Sequence, residues 1–251
     1  MTQDGLFTIL NTVDSTNNYA MQQVHDGLAK HGSAWFTTHQ TAGKGQRGKH
    51  WTSEKGKNIA MSVVLEPGRF LAGSGEAMIS QFYLSAAVAL ACLEFLKTYA
   101  GEEMKIKWPN DMFWRDRKAG GILVENKFQG NAWRWAVVGI GININQTAFN
   151  TDLVNPVSLK QITGKTFDAV VLAKELHALV MQHLSATTTM DKILQQYNRH
   201  LYKLNESVTL RKGGVKFKTV IKEVSPQGKL ITVDAMEREF DFGEVEWVLP
   251  R

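Results

Sequence analysis

An α+β fold, a larger body followed by a small all-β unit, is predicted by three features of the sequence. Apolar runs rich in β-branched and aromatic residues crowd together between residues 104 and 144, with turn signals between them. Long helical runs precede and follow that block, near 76–99 and 168–204. From Asn205 the texture changes to short alternating segments with glycine and Pro-x-Gly turns. The chain has 251 residues, 43% of them hydrophobic, which suffices for one large packed domain with a small second one.

The elements follow in order. Residues 6–13, LFTILNTV, read as a short strand. A cluster of capping residues, DSTNN, then opens a helix with Ala20, Met21, Val24 and Leu28 at helical spacing and Gly32 as its stop. SAWFTTHQ is β-like, and NIAMSVVLE is a strand closed by Pro67-Gly68. Residues 76–99 are apolar around most of the helix circumference, so this helix is expected to be buried. MKIKW, DMFWR, GGILVEN and RWAVVGIGINI are four strands. Helices resume at 168–186 and 188–204. The remainder reads as a β-barrel of about 45 residues, which divides the chain into 1–204 and 205–251.

The formal charge of +5 suits anionic ligands and nucleic acid equally. The single cysteine, Cys92, lies in an apolar helical run and reads as a small buried hydrophobe; one cysteine excludes an intramolecular disulfide and fits a reducing cytoplasm. The first ten residues lack the pattern of a signal peptide, and no unbroken apolar run reaches the ~18 residues of a membrane span. No histidine sits in an H-x-x-H or H-E-x-x-H pair, and there is no zinc set or G-x-S-x-G elbow.

TAGKGQRGKHW, residues 41–51, fits two phosphate-binding templates at once, G-x-G-x-x-G and G-x-x-x-x-G-K. Both need a helix directly after the last glycine, because the helix N-terminus holds the phosphate. Here the chain runs on through KHWTSEKGKN into a strand, and His50 stands where a P-loop has Ser or Thr. What remains is a strand-to-strand loop carrying Lys44, Arg47 and Lys49. Its three bare positions admit a ligand close to the backbone, and its cations neutralise an anion. Spacing alone is equally consistent with a solvated surface loop.

Other polar clusters lie at element ends. DSTNN puts hydroxyls and amides at a helix start. Trp108-Pro109-Asn110-Asp111 is a turn between strands. Lys118 leads into Ala119-Gly120-Gly121, and VVGIGININ ends at Asn143. In this order and spacing the chain resembles the biotin–protein ligases. The resemblance rests on Ser15-Thr16-Asn17, the Gln40–Trp51 loop, the Lys107–Asp111 turn, Lys118–Leu123 and Gly141-Ile142-Asn143.

The resemblance implies a mixed, mainly antiparallel sheet flanked by helices, as in class II aminoacyl-tRNA synthetases, with an SH3-like C-terminal barrel. It implies a biotin–[biotin carboxyl carrier protein] ligase. Biotin and Mg·ATP would give biotinyl-5′-AMP, and a lysine of a carboxylase's biotin carboxyl carrier domain would then attack. By similarity Lys118, Lys44 and Arg47 are catalytic. Ser15, Thr16, Asn17, Gln40, Lys44, Gly45, Gln46, Lys118 and Gly120 would bind biotin, with Ile122, Val124 and Ile140 as apolar walls or core. Arg47, Trp51, Asn110, Asp111 and Asn143 would bind the nucleotide, and Asp111 also Mg²⁺. Ser15 is expected to cap its helix as well. The family's helix-turn-helix has no counterpart before Ser15, so a catalytic-only class without a DNA or membrane partner is expected. RWAVVGIGI is a candidate edge for a homodimer. Gln46 stands where the family commonly has arginine, which keeps hydrogen bonding but loses a planar charge; somewhat faster leakage of the adenylate is expected. The rivals are a lipoate–protein ligase or octanoyltransferase of the same fold, and a non-enzymatic nucleic-acid binder.

Overall fold

The computed structural model describes residues 2–69, 77–151, 153–185 and 188–249. The predicted segment ends at residues 76, 186, 250 and 251 lie outside them. The body is an eight-stranded sheet. Its strands are β1 (Thr2–Asp4), β2 (Phe7–Leu10), β3 (Ala34–Thr37), β4 (Ile59–Leu65), β5 (Met104–Lys107), β6 (Asp111–Trp114), β7 (Arg117–Gln129) and β8 (Ala132–Ile142). The spatial order is β1-β2-β3-β4-β8-β7-β6-β5. Only β2 and β3 run parallel; the other neighbours are antiparallel. β1 was not anticipated, and β2 is shorter than the predicted 6–13.

Helices cover both faces, which is why β4 is buried along its whole length. On one face lies α1 (Thr16–His25), where Ala20 packs with Leu10, Trp35, Val64 and Val137. The other face carries the main core under α2 (Ala77–Ala100), α3 (Leu159–Thr163), α4 (Ala169–Ser185) and α5 (Met190–Arg199). Strand alternation sorts the residues. Met61, Val63 and Leu65 join the main core, while Ser62 and Val64 face α1. Cys92 is fully buried within α2, and burial pushes its thiol up to about 12, so it serves as a small hydrophobe. Residues Gln81–Ala100 of α2 are long and apolar enough to cross a membrane, yet 61% of that stretch is buried inside the protein, as a core helix requires.

Two expectations are corrected, and one helix is new. The helix predicted to reach residue 204 ends at Arg199, because the chain turns to pair Ile106 with Leu201. The unpredicted α3 starts at Ser158, which shares a reciprocal capping box with Gln161, and stops at left-handed Gly164. RWAVVGIGI is not an edge: from Ala136 to Ile142, β8 is paired with β4 on one side and β7 on the other.

The C-terminal part is a second antiparallel sheet of β9 (Ser207–Lys212), β10 (Val215–Val224), β11 (Leu230–Val233), β12 (Glu237–Phe240) and β13 (Glu246–Trp247), in the order β12-β11-β10-β9-β13. No ladder joins β12 to the short β13 among the described residues, so the sheet expected as a small β-barrel is not closed by strand pairing there. Its core residues Leu210, Ile221, Leu230 and Phe240 are continuous with the main core.

Two histidines tie the body together in their neutral form. His177 packs 5.7 Å from Phe7 and bonds the Gly32 carbonyl at 2.8 Å, so Nε2 carries the proton. His31 accepts the Glu66 N–H on Nδ1 at 3.0 Å. Burial holds both below their ordinary 6.5. A depressed histidine contributes stability that is present above its unfolded value and lost as the pH falls. The contribution of these two histidines to the melting temperature is therefore expected to be constant above pH 6.5 and to decline below it. His177→Gln, which keeps a donor for Gly32, should flatten that decline; an unchanged slope in thermal melts would refute the assignment.

Candidate active site

The glycine-rich loop forms a narrow hairpin rather than a helix entrance. The Trp51 N–H donates to the Gly43 carbonyl at 2.8 Å, and the Gly45 N–H to Lys49 at 2.7 Å. A Cβ on Gly43 would lie 2.3 Å from the Trp51 carbonyl oxygen, so only glycine permits this closeness. A single 3-10 turn, residues 46–48, holds Arg47 in the left-handed region at φ 55°. No helix follows, and both phosphate templates fail in space as they do in sequence.

Opposite the loop is the Trp108–Asp111 turn, fixed from three directions. The Trp108 indole N–H donates to Gly228 of the second sheet at 3.0 Å. The Tyr197 hydroxyl donates to Pro109 at 2.7 Å. The buried Asn110 amide donates to the Ile122 carbonyl. The last bond makes Asn110 a clamp between the turn and β7.

Next to the turn, β7 carries one extra residue. Phe113 opposes Lys118 while Met112 opposes Gly120, so Ala119 bulges. Lys118 Nζ comes 2.6 Å from Asp111 Oδ1, and Lys107 Nζ lies 3.8 Å from Oδ2. Gly121 leaves room for that pair: a Cβ there would stand 3.1 Å from Asp111 Oδ1. Lys107 is 5.3 Å from the ring centroids of both Phe113 and Trp247. Burial brings its ammonium down to about 8, against the favourable pull of Asp111 and with the unfavourable push of Lys118 and Lys49.

Loop, turn and second sheet enclose one cleft of ≈ 1090 Å³. Seven lysines and arginines line it (residues 44, 47, 49, 107, 118, 211 and 216) against two carboxylates, Asp111 and Glu246. The cleft is thus a strongly positive cavity suited to anions. Among the described residues no group of three or more His, Cys, Asp and Glu that could hold a metal ion converges.

Most residues singled out in the sequence meet here. Ser15, Thr16, Asn17, Gln40, Lys44, Gly45, Gln46, Arg47, Trp51, Asn110, Asp111, Lys118 and Asn143 all line the cleft. Several differ in detail from expectation. Ser15 is buried at the N-cap position of α1, but its side chain makes no capping bond. Gly120 does not line the cleft; its α-carbon backs onto the Gly141 carbonyl, and Gly121 is the lining residue. Val124 packs into the main core, and Leu123, one position over on the alternating strand, lines the cleft instead. Ile122 and Ile140 belong to that core and also reach the cleft. Asn143 donates to the Val157 carbonyl at 3.1 Å and lies 3.4 Å from that of Lys118, so it steadies the Lys118 segment. Arg47 Nη1 donates to the Gly243 carbonyl at 2.9 Å, which joins the loop to the second sheet. Lys44 pairs with Glu125 at 3.3 Å.

Residues 9–143 match the biotin/lipoate A/B protein ligase family, just over half of the chain. The chain belongs to that family. It is 28% identical over 235 residues to the bifunctional ligase/repressor BirA of Escherichia coli, covering 90% of this chain and 69% of that protein. It is 34% identical over 166 residues to the biotin–[acetyl-CoA-carboxylase] ligase of Paracoccus denitrificans, covering 64% of this chain and 65% of the other. Against the BirA protein of Salmonella typhimurium, 32% identical, the chain spans only about half of the relative's length, 51%. The biotin protein ligase of Aquifex aeolicus, solved with biotin and ATP, superposes with a TM-score of 0.79 at 23% identity, covering 97% of this chain and 99% of that one. The fold is therefore that of the biotin protein ligases.

A bare position on β8 seats Trp51 beside the cleft. A Cβ on Gly141 would lie 2.6 Å from the Trp51 ring, whose indole N–H is buried without a partner. Gly141→Ala is expected to displace Trp51 from the strand and to cost about 1–3 kcal/mol. Denaturant unfolding with tryptophan fluorescence checks it; a wild-type midpoint and spectrum would sink the packing argument.

Proposed function

We propose that this family member activates biotin with Mg·ATP as biotinyl-5′-AMP and transfers the biotinyl group to a lysine of a carboxylase's biotin carboxyl carrier domain. The observation that carries the reading is Lys118, held 2.6 Å from Asp111 at the floor of a cleft with seven cations. Forming an acyl adenylate brings a carboxylate against an α-phosphate, two anions that repel. A cation at about 4 Å offsets up to ~4 kcal/mol of that repulsion at an effective dielectric of 20. In the proposed reaction the biotin carboxylate oxygen attacks the α-phosphorus and pyrophosphate leaves, with Lys118 between the two charges. The acceptor amine then attacks the anhydride carbonyl and AMP leaves.

The remaining residues fit around that step. Thr16 and Gln40 supply hydroxyl and amide groups for a ureido ring. Lys44 and Arg47 face the carboxylate and phosphates from the loop, and the loop excludes water that would hydrolyse the anhydride. Mg²⁺ arrives on ATP as part of the substrate, with Asp111 as the nearby carboxylate oxygen source. The Paracoccus denitrificans relative carries a biotin-ligase name, and the glycine-basic loop and Lys-Trp-Pro-Asn-Asp turn favour biotin over lipoate within the family.

ATP–pyrophosphate exchange should depend on added biotin and not on lipoate. Lys118→Ala should lower it by roughly 10²–10³-fold, as loss of a transition-state charge partner does. Exchange in the wild type without biotin dependence would end the proposal.

The same assay tests Lys107. Its charge is present below about 8 and lost above it, so the adenylation rate is expected to fall as the pH rises through that value. Lys107→Arg, always protonated, should move the fall to higher pH. A profile identical in wild type and Lys107→Arg would exclude Lys107 from the charge balance.

A further inference from the structure

Six polar side chains from five separate segments form one connected line along and behind the wall of the cleft. Thr16 and Asn17 open α1, Gln40 follows β3, Lys44 is in the loop, Ser62 is on β4 and Glu125 on β7. The Thr16 N–H donates to Gln40 Oε1 at 2.8 Å, and Thr16 Oγ1 lies 3.1 Å from the same oxygen. Ser62 Oγ is 2.8 Å from Thr16 Oγ1 and 2.6 Å from Asn17 Oδ1. Asn17 Nδ2 donates to Glu125 Oε2 at 2.8 Å, and Lys44 Nζ donates to Glu125 Oε1 at 3.3 Å.

Counting protons gives the line a direction. A carboxylate only accepts, so the Asn17 nitrogen faces Glu125 and its oxygen faces Ser62. Ser62 has one hydroxyl proton, and the 2.6 Å approach to Asn17 Oδ1 needs it. The 2.8 Å contact between Ser62 and Thr16 then needs the Thr16 proton, because two bare oxygens at that distance repel. Gln40 Oε1 is already satisfied by the Thr16 N–H, and the longer 3.1 Å contact goes without a proton. Thr16 Oγ1 is left as an acceptor toward the cleft, and Gln40 presents its Nε2 as a donor.

The surroundings keep this arrangement from being averaged by water. Thr16, Asn17 and Ser62 are all buried. A Cβ on Gly139 would lie 2.2 Å from Asn17 Oδ1, so this bare position is what admits Asn17. In such a site a charged terminus polarises the hydrogen bonds leading to it.

We infer that Glu125, which does not itself line the cleft, is a positioning residue: one oxygen fixes Thr16 Oγ1 as an acceptor, beside a Gln40 amide that the Thr16 N–H already turns with its donor outward, and the other holds Lys44. The inference rests on the proposed function only for its ligand, a cyclic urea whose N–H groups and carbonyl meet that acceptor and donor. Glu125→Gln would offer Asn17 an amide that also donates, letting the line reverse, and would remove the countercharge of Lys44.

Two measurements on the full chain decide it. By calorimetry, Glu125→Gln and Ser62→Ala should each weaken biotin binding about tenfold, as loss of one charge-linked hydrogen bond does, and the double variant should lose no more than the weaker single. In the ligand-free protein, tryptic cleavage after Arg47 should quicken in Glu125→Gln and in Lys44→Met, quicken no further in their combination, and stay at the wild-type rate in Ser62→Ala. Additive losses of biotin affinity, or wild-type binding by Glu125→Gln, would overturn the inference. So would cleavage that Glu125→Gln leaves unchanged. Should Glu125→Gln not fold, Glu125→Asp, a methylene too short to span both partners, takes its place with the same expected losses. If the wild type binds no biotin, the proposed function fails, while the cleavage series still decides whether Glu125 holds Lys44.

Discussion

Everything in this cleft depends on keeping like charges together away from bulk water. Lys107 and Lys118 share the single carboxylate of Asp111, at 3.8 and 2.6 Å. At an effective dielectric of 20, two unit charges 4 Å apart interact by about 4 kcal/mol, so neither lysine would hold its place without a rigid frame. The frame is the Trp108–Asp111 turn, which the second sheet, α5 and β7 each grip by one hydrogen bond. The aromatic faces of Phe113 and Trp247 shelter Lys107 where a second carboxylate would have cancelled its charge. The net positive field is thus left over for a ligand.

Glycine is the second constraint, and it works by absence. Gly139 admits Asn17, Gly141 admits the Trp51 ring, and Gly121 admits the Lys118–Asp111 pair. All three lie on the face of the sheet that meets α1 and the loop, since β7 and β8 pair Gly121 with Gly141 and Leu123 with Gly139. A sheet face stripped of side chains in this register becomes a floor onto which polar groups from elsewhere can settle.

Much of this was legible in the sequence, for reasons that can be named. β4, β6, β8 and α2 carry strong apolar runs bounded by turn residues, so they are found nearly where the pattern puts them. The polar clusters stood out because Lys, Asn and Gly at element ends are unusual where packing alone decides, while their gathering into one site was implied by the resemblance to the biotin–protein ligases. Two of the misses are set by a partner distant in the chain. α5 stops at Arg199 because Ile106 pairs with Leu201, and β8 is interior because β4 arrives from 70 or more residues away. Val124, offered as wall or core, is core, and Leu123 takes the cleft side by simple strand alternation. Lys107 looked like one lysine among many until burial singled it out. Glu125 could have been found: it follows Gly121 and Leu123 at period two, on the same face as the glycines.

The second sheet belongs to the site as much as the first. Arg47 donates to the Gly243 carbonyl, and Trp108 donates to that of Gly228, so loop and turn are each tied to it through backbone oxygens. A Cβ on Gly243 would lie 2.4 Å from Arg47 Nη1, and one on Gly228 2.8 Å from the Phe82 ring. On its cleft side Lys216 and Arg211 stand directly opposite each other on β10 and β9, an arrangement that costs stability between strands. Glu246 on β13 flanks Arg211 on the other side at 3.5 Å and relieves only part of it. The positive wall of the cleft therefore continues across the junction, and separating the two sheets would dismantle the charge cluster along with the packing.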